Sequence, residues 1–204
     1  MAGARAKELL AELTDAVLLA RVAPGQRLTQ GEFAALGRAS AVELATVLPV
    51  LAASGLVSID GEQVLVRPLD PNAVLATLPR RMELELRIVR AVVVSASDVQ
   101  LKEMQASEAM LRRCATLGDM DGMMHAERQL EALMAEASGL QSEALELTAI
   151  KREFRRAWCA ANRLRTFTHV ASIRTALVAA IAARDVQAAE KQVLVFFDHL
   201  LSTY

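Results

Sequence analysis

The chain has 204 residues and a formal net charge of −1. It is 53% hydrophobic but only 3% aromatic, so its core must be aliphatic. With 9 glycines and 5 prolines, long helices can run uninterrupted. No apolar run reaches the roughly 20 residues of a membrane span, and the polar start from Met1 to Glu12 carries charges of both signs, unlike a signal peptide. Cys114 and Cys159 are isolated and lack metal-ligand spacing, as expected of reduced core residues in a cytoplasmic protein.

Leu9, Leu10, Leu13, Val17 and Leu18 recur at helical spacing and predict an amphipathic helix ending near Val22, with Pro24-Gly25 behind it. Thr29 with Glu32, and Ser40 with Glu43, are capping-box pairs. They predict a short helix over Gln30–Leu36, broken by Gly37, and a third helix through Leu44, Val47, Leu48 and Leu51 to Ser54. Pro49 should kink or fray this helix, and Gly55 suits its C-terminal cap. Residues 56–59 and 63–66 flank Asp60-Gly61, a tight hairpin signal. Three helices and a hairpin make a winged helix-turn-helix over residues 1–69. Residues 70–79 form a linker with a short helix around Asn72–Leu78.

From Arg80 onward only helical periodicity appears, with spans near 80–96, 98–116, 120–137, 141–163, 168–183 and 186–202. The fold class is therefore mainly α, with an antiparallel all-helical bundle over residues 80–204 and room in it for a ligand. Asp119-Met120-Asp121-Gly122 lacks the spacing of a calcium loop and reads as a turn. Met120, Met123, Met124 and Met134 read as pliant core filling. Lys151, Arg152, Arg155, Arg156, Arg163 and Arg165 alternate with Phe154, Trp158 and Leu164 and read as one solvated helix face. No nucleophilic triad, phosphate-binding glycine loop or dinucleotide fingerprint is present, so neither an enzyme nor a cofactor is expected.

Several segments together resemble the FadR-like branch of the GntR superfamily, with an FCD-type effector domain. In the first domain these are Pro24-Gly25-Gln26-Arg27-Leu28, Glu32-Phe33-Ala34, and Leu48 to Leu51 leading into Ser54-Gly55-Leu56-Val57. In the second they are Arg81-Met82-Glu83-Leu84-Glu85, Leu133 to Gly139, and Ala180-Ile181 through Asp185 to Ala188-Ala189. The resemblance implies a homodimeric, cytoplasmic transcription regulator. Its partners would be double-stranded DNA with a palindromic operator and a small-molecule metabolite, and no membrane.

Two departures from the family qualify that expectation. The family's recognition helix opens S-R-x-x-V-R, and its arginines contact DNA; here Ala41 and Ala45 stand in their places. Residues 1–69 hold six cationic side chains against seven anionic ones, without the basic surplus that phosphate contacts favour. The remaining DNA-binding candidates are Thr29, Gln30, Arg38, Ser40 and Gln63, unless these are ordinary capping or solvent-facing residues, and Glu43 would oppose phosphates. In the helical domain, the family's metal ligands (an Asp and a His one turn apart, then two more His) align with Glu127, Glu131, Arg174 and Phe196. Arginine and phenylalanine cannot ligate, so no metal is expected. The three histidines, His125, His169 and His199, fall off those positions and read as surface or helix-end residues. Arg81, Glu127, Glu131, Arg174 and Phe196 are then the effector-site candidates. Arg174 either staples helices as an ion pair or receives a carboxylate on an effector. The alternative function is a family-derived sensor or interaction dimer that has lost sequence-specific DNA binding.

Overall fold

The computed structural model describes residues 2–161 and 167–203. They form two compact units, one of Met1–Leu75 with Lys151–Asn162 and the other of Ala76–Ile150 with Arg163–Tyr204.

The first unit begins with α1 (Ala2–Leu18), β1 (Arg27–Thr29), α2 (Gln30–Leu36) and α3 (Ala41–Ala53), followed by β2 (Val57–Asp60) and β3 (Gln63–Val66). Leu9, Leu13 and Val17 of α1 meet Phe33 of α2, Leu44, Val47, Leu48 and Leu51 of α3, and Val57, Val64 and Val66 of the sheet in one aliphatic core. α1 stops four residues before the expected Val22. Ala20 enters the left-handed region at φ 51°, and the Arg21 N–H folds back onto the Ala16 carbonyl at 2.9 Å. Val22 is nonetheless buried, which explains its apolar signal.

The expected two-stranded hairpin is a three-stranded antiparallel sheet of order β1-β3-β2, with Leu28 opposite Val64 and Ile59 opposite Val64 on the other side. Three residues of β1 are too few to show an alternating pattern. The strand is recruited instead by bonds from Gly25 N–H to the Val66 carbonyl and from Val66 N–H to the Gln26 carbonyl, each 2.9 Å.

α2 and α3 meet at 91°, as a helix-turn-helix requires. Their turn depends on two residues. Gly37 lies so close to α1 that a Cβ there would sit 2.4 Å from Leu9 Cδ1. Arg38 takes the left-handed conformation at φ 50°, letting Ala39 N–H reach back to the Ala34 carbonyl at 3.0 Å. α3 runs unbroken through Pro49, correcting the expected disruption; Pro49 and Ala45, whose carbonyl loses its helical donor, are both exposed.

The basic stretch is also corrected. Arg156 of α8 (Gln141–Ala160) is fully buried and Lys151 is buried too, so this is not one solvated face. Lys151–Asn162 belongs to the first unit. There Arg156 donates to Glu153 Oε2 at 2.9 Å and to the Arg67 carbonyl, just beyond β3, at 2.5 Å. Arg163, Leu164 and Arg165 lie outside the described residues.

The second unit contains α5 (Leu78–Ser95), α6 (Asp98–Leu117), α7 (Met120–Ser138), the start of α8, α9 (Phe167–Ala182) and α10 (Val186–Thr203). The short α4 (Pro71–Ala76) falls at the division. Ser97 with Gln100 caps α6, Asp119 caps α7, and Gly118 and Gly139 close α6 and α7 in the left-handed region. Leu84, Ile88, Val92, Met104, Leu111, Met123, Leu130, Leu177, Ile181 and Val193 are buried at helical spacing. Arg184, left-handed at φ 57°, donates to the Val93 and Ala96 carbonyls at 2.8 and 2.5 Å and so closes the end of α5. Both cysteines are buried, and neither forms a disulfide among the described residues. No single described helix is long and apolar enough to cross a membrane.

The Gly37–Leu9 approach yields a stability prediction. Gly37→Ala is expected to destabilise the winged unit by about 1–3 kcal/mol through overpacking. In urea this appears as a lower midpoint at unchanged slope. An unchanged midpoint would mean that α1 gives way without cost.

Candidate functional site

Two groups of predicted residues concern different chemistry, and each lies within one unit. On the winged unit, most of the DNA-binding candidates serve the fold. Thr29 caps α2: its Oγ1 accepts from Glu32 N–H at 3.2 Å and donates to Glu32 Oε2 at 2.8 Å. Ser40 caps α3 in the same way, donating to Glu43 Oε2 at 2.7 Å. Gln30 Nε2 donates to the Gly61 carbonyl at 3.0 Å and braces the wing turn. Gln63 is half-buried in β3, paired in register with Thr29 and Asp60.

Arg38 differs from these. Its exposed guanidinium has no partner among the described residues, although its backbone holds a conformation that glycine adopts at less cost. Arg184 shares that backbone strain, but its guanidinium is used to cap α5. Arg38 has no such internal use.

Glu43 stays partly exposed, but its carboxylate is engaged at the start of α3. Its carboxylate accepts from Ser40 N–H at 2.8 Å and lies 3.5 Å from Arg5 Nε. The Ser40 backbone and hydroxyl bonds, with Arg5 behind them, hold its carboxyl below the usual range. The outward residues of α3 are Ala41, Val42, Ala45, Thr46, Pro49, Val50 and Ala53. The two positions aligned with the family's arginines lie on this uncharged face. The continuity of the face was missed because Val42 and Val50 suit a core as well as a surface.

In the helical unit the structure brings Arg81 (α5), Glu127 (α7), Arg174 (α9) and Phe196 (α10) together. Arg174 holds Glu127 Oε1 with Nη2 at 2.7 Å and Nε at 2.9 Å. Its Cζ lies 4.5 Å from the centre of the Phe196 ring, and the Arg81 Cζ lies 5.2 Å from it. Arg81 in turn pairs with Glu85 at 2.9 Å. Both guanidiniums and both carboxylates are buried. Burial opposes the Arg174 charge, but Glu127, Glu85 and Glu131 outweigh it and raise its pKa. Glu131 is half-buried and acts on Arg174 through its charge. Glu127 Oε2 is buried with no hydrogen-bond partner among the described residues.

Sequence reasoning missed Glu85, although it stands one turn after Arg81, where ion pairs form on a helix. It also missed Glu108, buried on α6, which accepts from Thr175 Oγ1 at 2.5 Å and Arg112 Nε at 3.3 Å. A groove of about 260 Å³ opens beside it between α6 and α9, lined by Arg112, Thr116, Ser172 and Thr175 among others.

The residues do not fit a transition metal at the positions the resemblance implies. A permanent cation already lies on Glu127, and Phe196 offers no donor. Among the described residues no three His, Cys, Asp or Glu side chains converge on a metal position. His125 and His169 are exposed, while His199 is half-buried and meets the His169 ring edge-on at 4.5 Å between centres. Burial and the neighbouring His169 lower the His199 pKa.

The FCD domain family matches residues 77–199. No curated protein matches the chain. Among solved structures, McbR/YncC of E. coli shares 16% identity at a TM-score of 0.79, covering 98% of this chain and 96% of its own. A Rhodococcus sp. RHA1 protein assigned to the GntR transcriptional regulators shares 16% at 0.72, covering 98% and 97%. A GntR protein of Streptococcus agalactiae shares 15% at 0.53, covering 98% of each chain. With more than half of its length matched, including the helices that carry Arg81, Glu127 and Arg174, the chain belongs to the FCD-domain family, and its fold is that of the GntR transcription regulators.

Proposed function

We propose that this FCD-family transcription regulator acts in the cytoplasm as a homodimer, reading a palindromic operator through its winged units under control of a small molecule. The observation that carries the DNA-binding reading is Arg38, a free guanidinium held at conformational cost in the helix-turn-helix turn. A left-handed arginine whose side chain has no use inside the fold is a candidate for a use outside it, and a phosphate contact at the entry to α3 would supply one. Two-fold symmetry in the protein would be mirrored in the operator. The effector would shift the dimer between arrangements with different spacings of the α3 helices, which requires a different affinity for each.

The charge cluster suggests the effector's chemistry. An incoming carboxylate would compete with Glu127 for Arg174 or with Glu85 for Arg81. The open valence is instead an acceptor, Glu127 Oε2. We therefore favour an effector that presents an N–H or ammonium donor over the carboxylate expected from the guanidiniums.

Arg38→Gly is expected to leave the fold as stable or more stable, by about 0.5–1 kcal/mol. The same change weakens binding to promoter fragments and lowers the salt slope by about one. If wild-type protein binds no fragment above background at low salt, DNA binding is lost and the interaction-dimer alternative stands.

The buried pair has its own test. Arg174→Met or Glu127→Leu alone is expected to cost about 3–5 kcal/mol, because each leaves a buried charge uncompensated. The double variant should recover more than half of that loss in the same unfolding experiment. Simple additivity would mean that the two side chains do not act as a pair.

A further inference from the structure

The outward face of α3 carries an uncommon chemistry for a reading helix. Ala41, Val42, Ala45, Thr46, Pro49 and Val50 are all exposed, Val42 by 77%. The Thr46 hydroxyl donates to the Glu43 carbonyl at 2.6 Å, so it too is committed to the helix. This face offers neither a guanidinium nor a side-chain amide, the groups that make paired bonds to guanine or adenine edges. It also offers no free carboxylate, because Glu43 is turned into its own cap and faces Arg5.

Local charge complementarity at Arg38 points to the occupant, although residues 1–69 as a whole carry no cationic surplus. Arg38, three residues before the first turn of α3, is exposed and uncommitted, while the face beside it is small, apolar and uncharged. A polyanion with apolar groups on its readable edge meets both features. In the major groove of duplex DNA the apolar group on a base edge is the thymine C5-methyl, and alanine and threonine methyls are among its usual contacts. The N-terminal residues of a reading helix are the ones that reach base edges; here these are Ala41, Val42, Ala45 and Thr46.

We infer, building on the DNA-binding reading above, that α3 reads thymine methyl groups by apolar contact. Operator specificity then resides in thymine-rich half-sites, while phosphate contacts including Arg38 supply most of the affinity. Val42 is the principal specificity residue, as the more exposed of the two large apolar side chains on the face.

The experiment uses the full-length chain to select from a pool of random-sequence duplexes. The selected duplexes are then remade with deoxyuridine in place of thymidine, which removes only the C5-methyl. Thymine-rich selected sites are expected, with affinity falling about fourfold per contacted methyl removed and an unchanged salt slope. Val42→Ser, an exposed substitution, should shrink the deoxyuridine effect at one position. If sites are selected but deoxyuridine binds as well as thymidine, methyl reading is overturned while DNA binding stands. If no duplex is enriched, the underlying regulator reading falls with it, and the apolar face belongs to a protein contact.

Discussion

A guanidinium cannot shed its charge to enter an apolar interior, and this constraint organises the helical unit around Arg174. Once that side chain lies between helices, a carboxylate must accompany it, and Glu127 does so at 2.7 Å. Phe196 covers the cation with its ring, and the second guanidinium, Arg81, brings Glu85 as its own counter-charge. Four helices thus contribute to one ion cluster. Such a cluster adds little net stability compared with well-packed apolar residues, but it strongly penalises the loss of any single member. It holds together helices that the family resemblance would join through a metal.

In the winged unit the corresponding constraint is the sharp turn between α2 and α3. Gly37 lets α1 approach, Arg38 supplies the left-handed residue, and the paired capping boxes fix where each helix starts. The same capping engages the carboxylates of Glu32 and Glu43 in the helix starts. That leaves α3 with an outward face free of acidic groups, although Glu43 stands in its first turn.

The helix starts and stops of the bundle were legible because they are local. Ser97 with Gln100, Asp119, Gly118 and Gly139 each act within a few residues. The cluster was partly legible, since the resemblance aligned Arg81, Glu127, Arg174 and Phe196 before any contact was known. Glu85 could have been found from its spacing. Arg156 could not, because besides the nearby Glu153 it holds a backbone carbonyl 89 residues away, and cations at helical spacing normally indicate a solvated face. β1 was hidden for a similar reason: its three residues are defined by what they pair with across the sheet, not by a pattern of their own.

An intact FCD-type architecture thus carries two rewritten sites, an uncharged outward face on α3 and a guanidinium where the family resemblance would place a metal ligand. The second is the more direct to test. Protein purified without chelator would be assayed for bound transition metal by mass spectrometry, and its thermal unfolding compared with and without chelator. No stoichiometric metal and an unchanged melting temperature are expected, because Arg174 already neutralises Glu127. Stoichiometric zinc, nickel or manganese whose removal lowers the melting temperature would contradict that expectation.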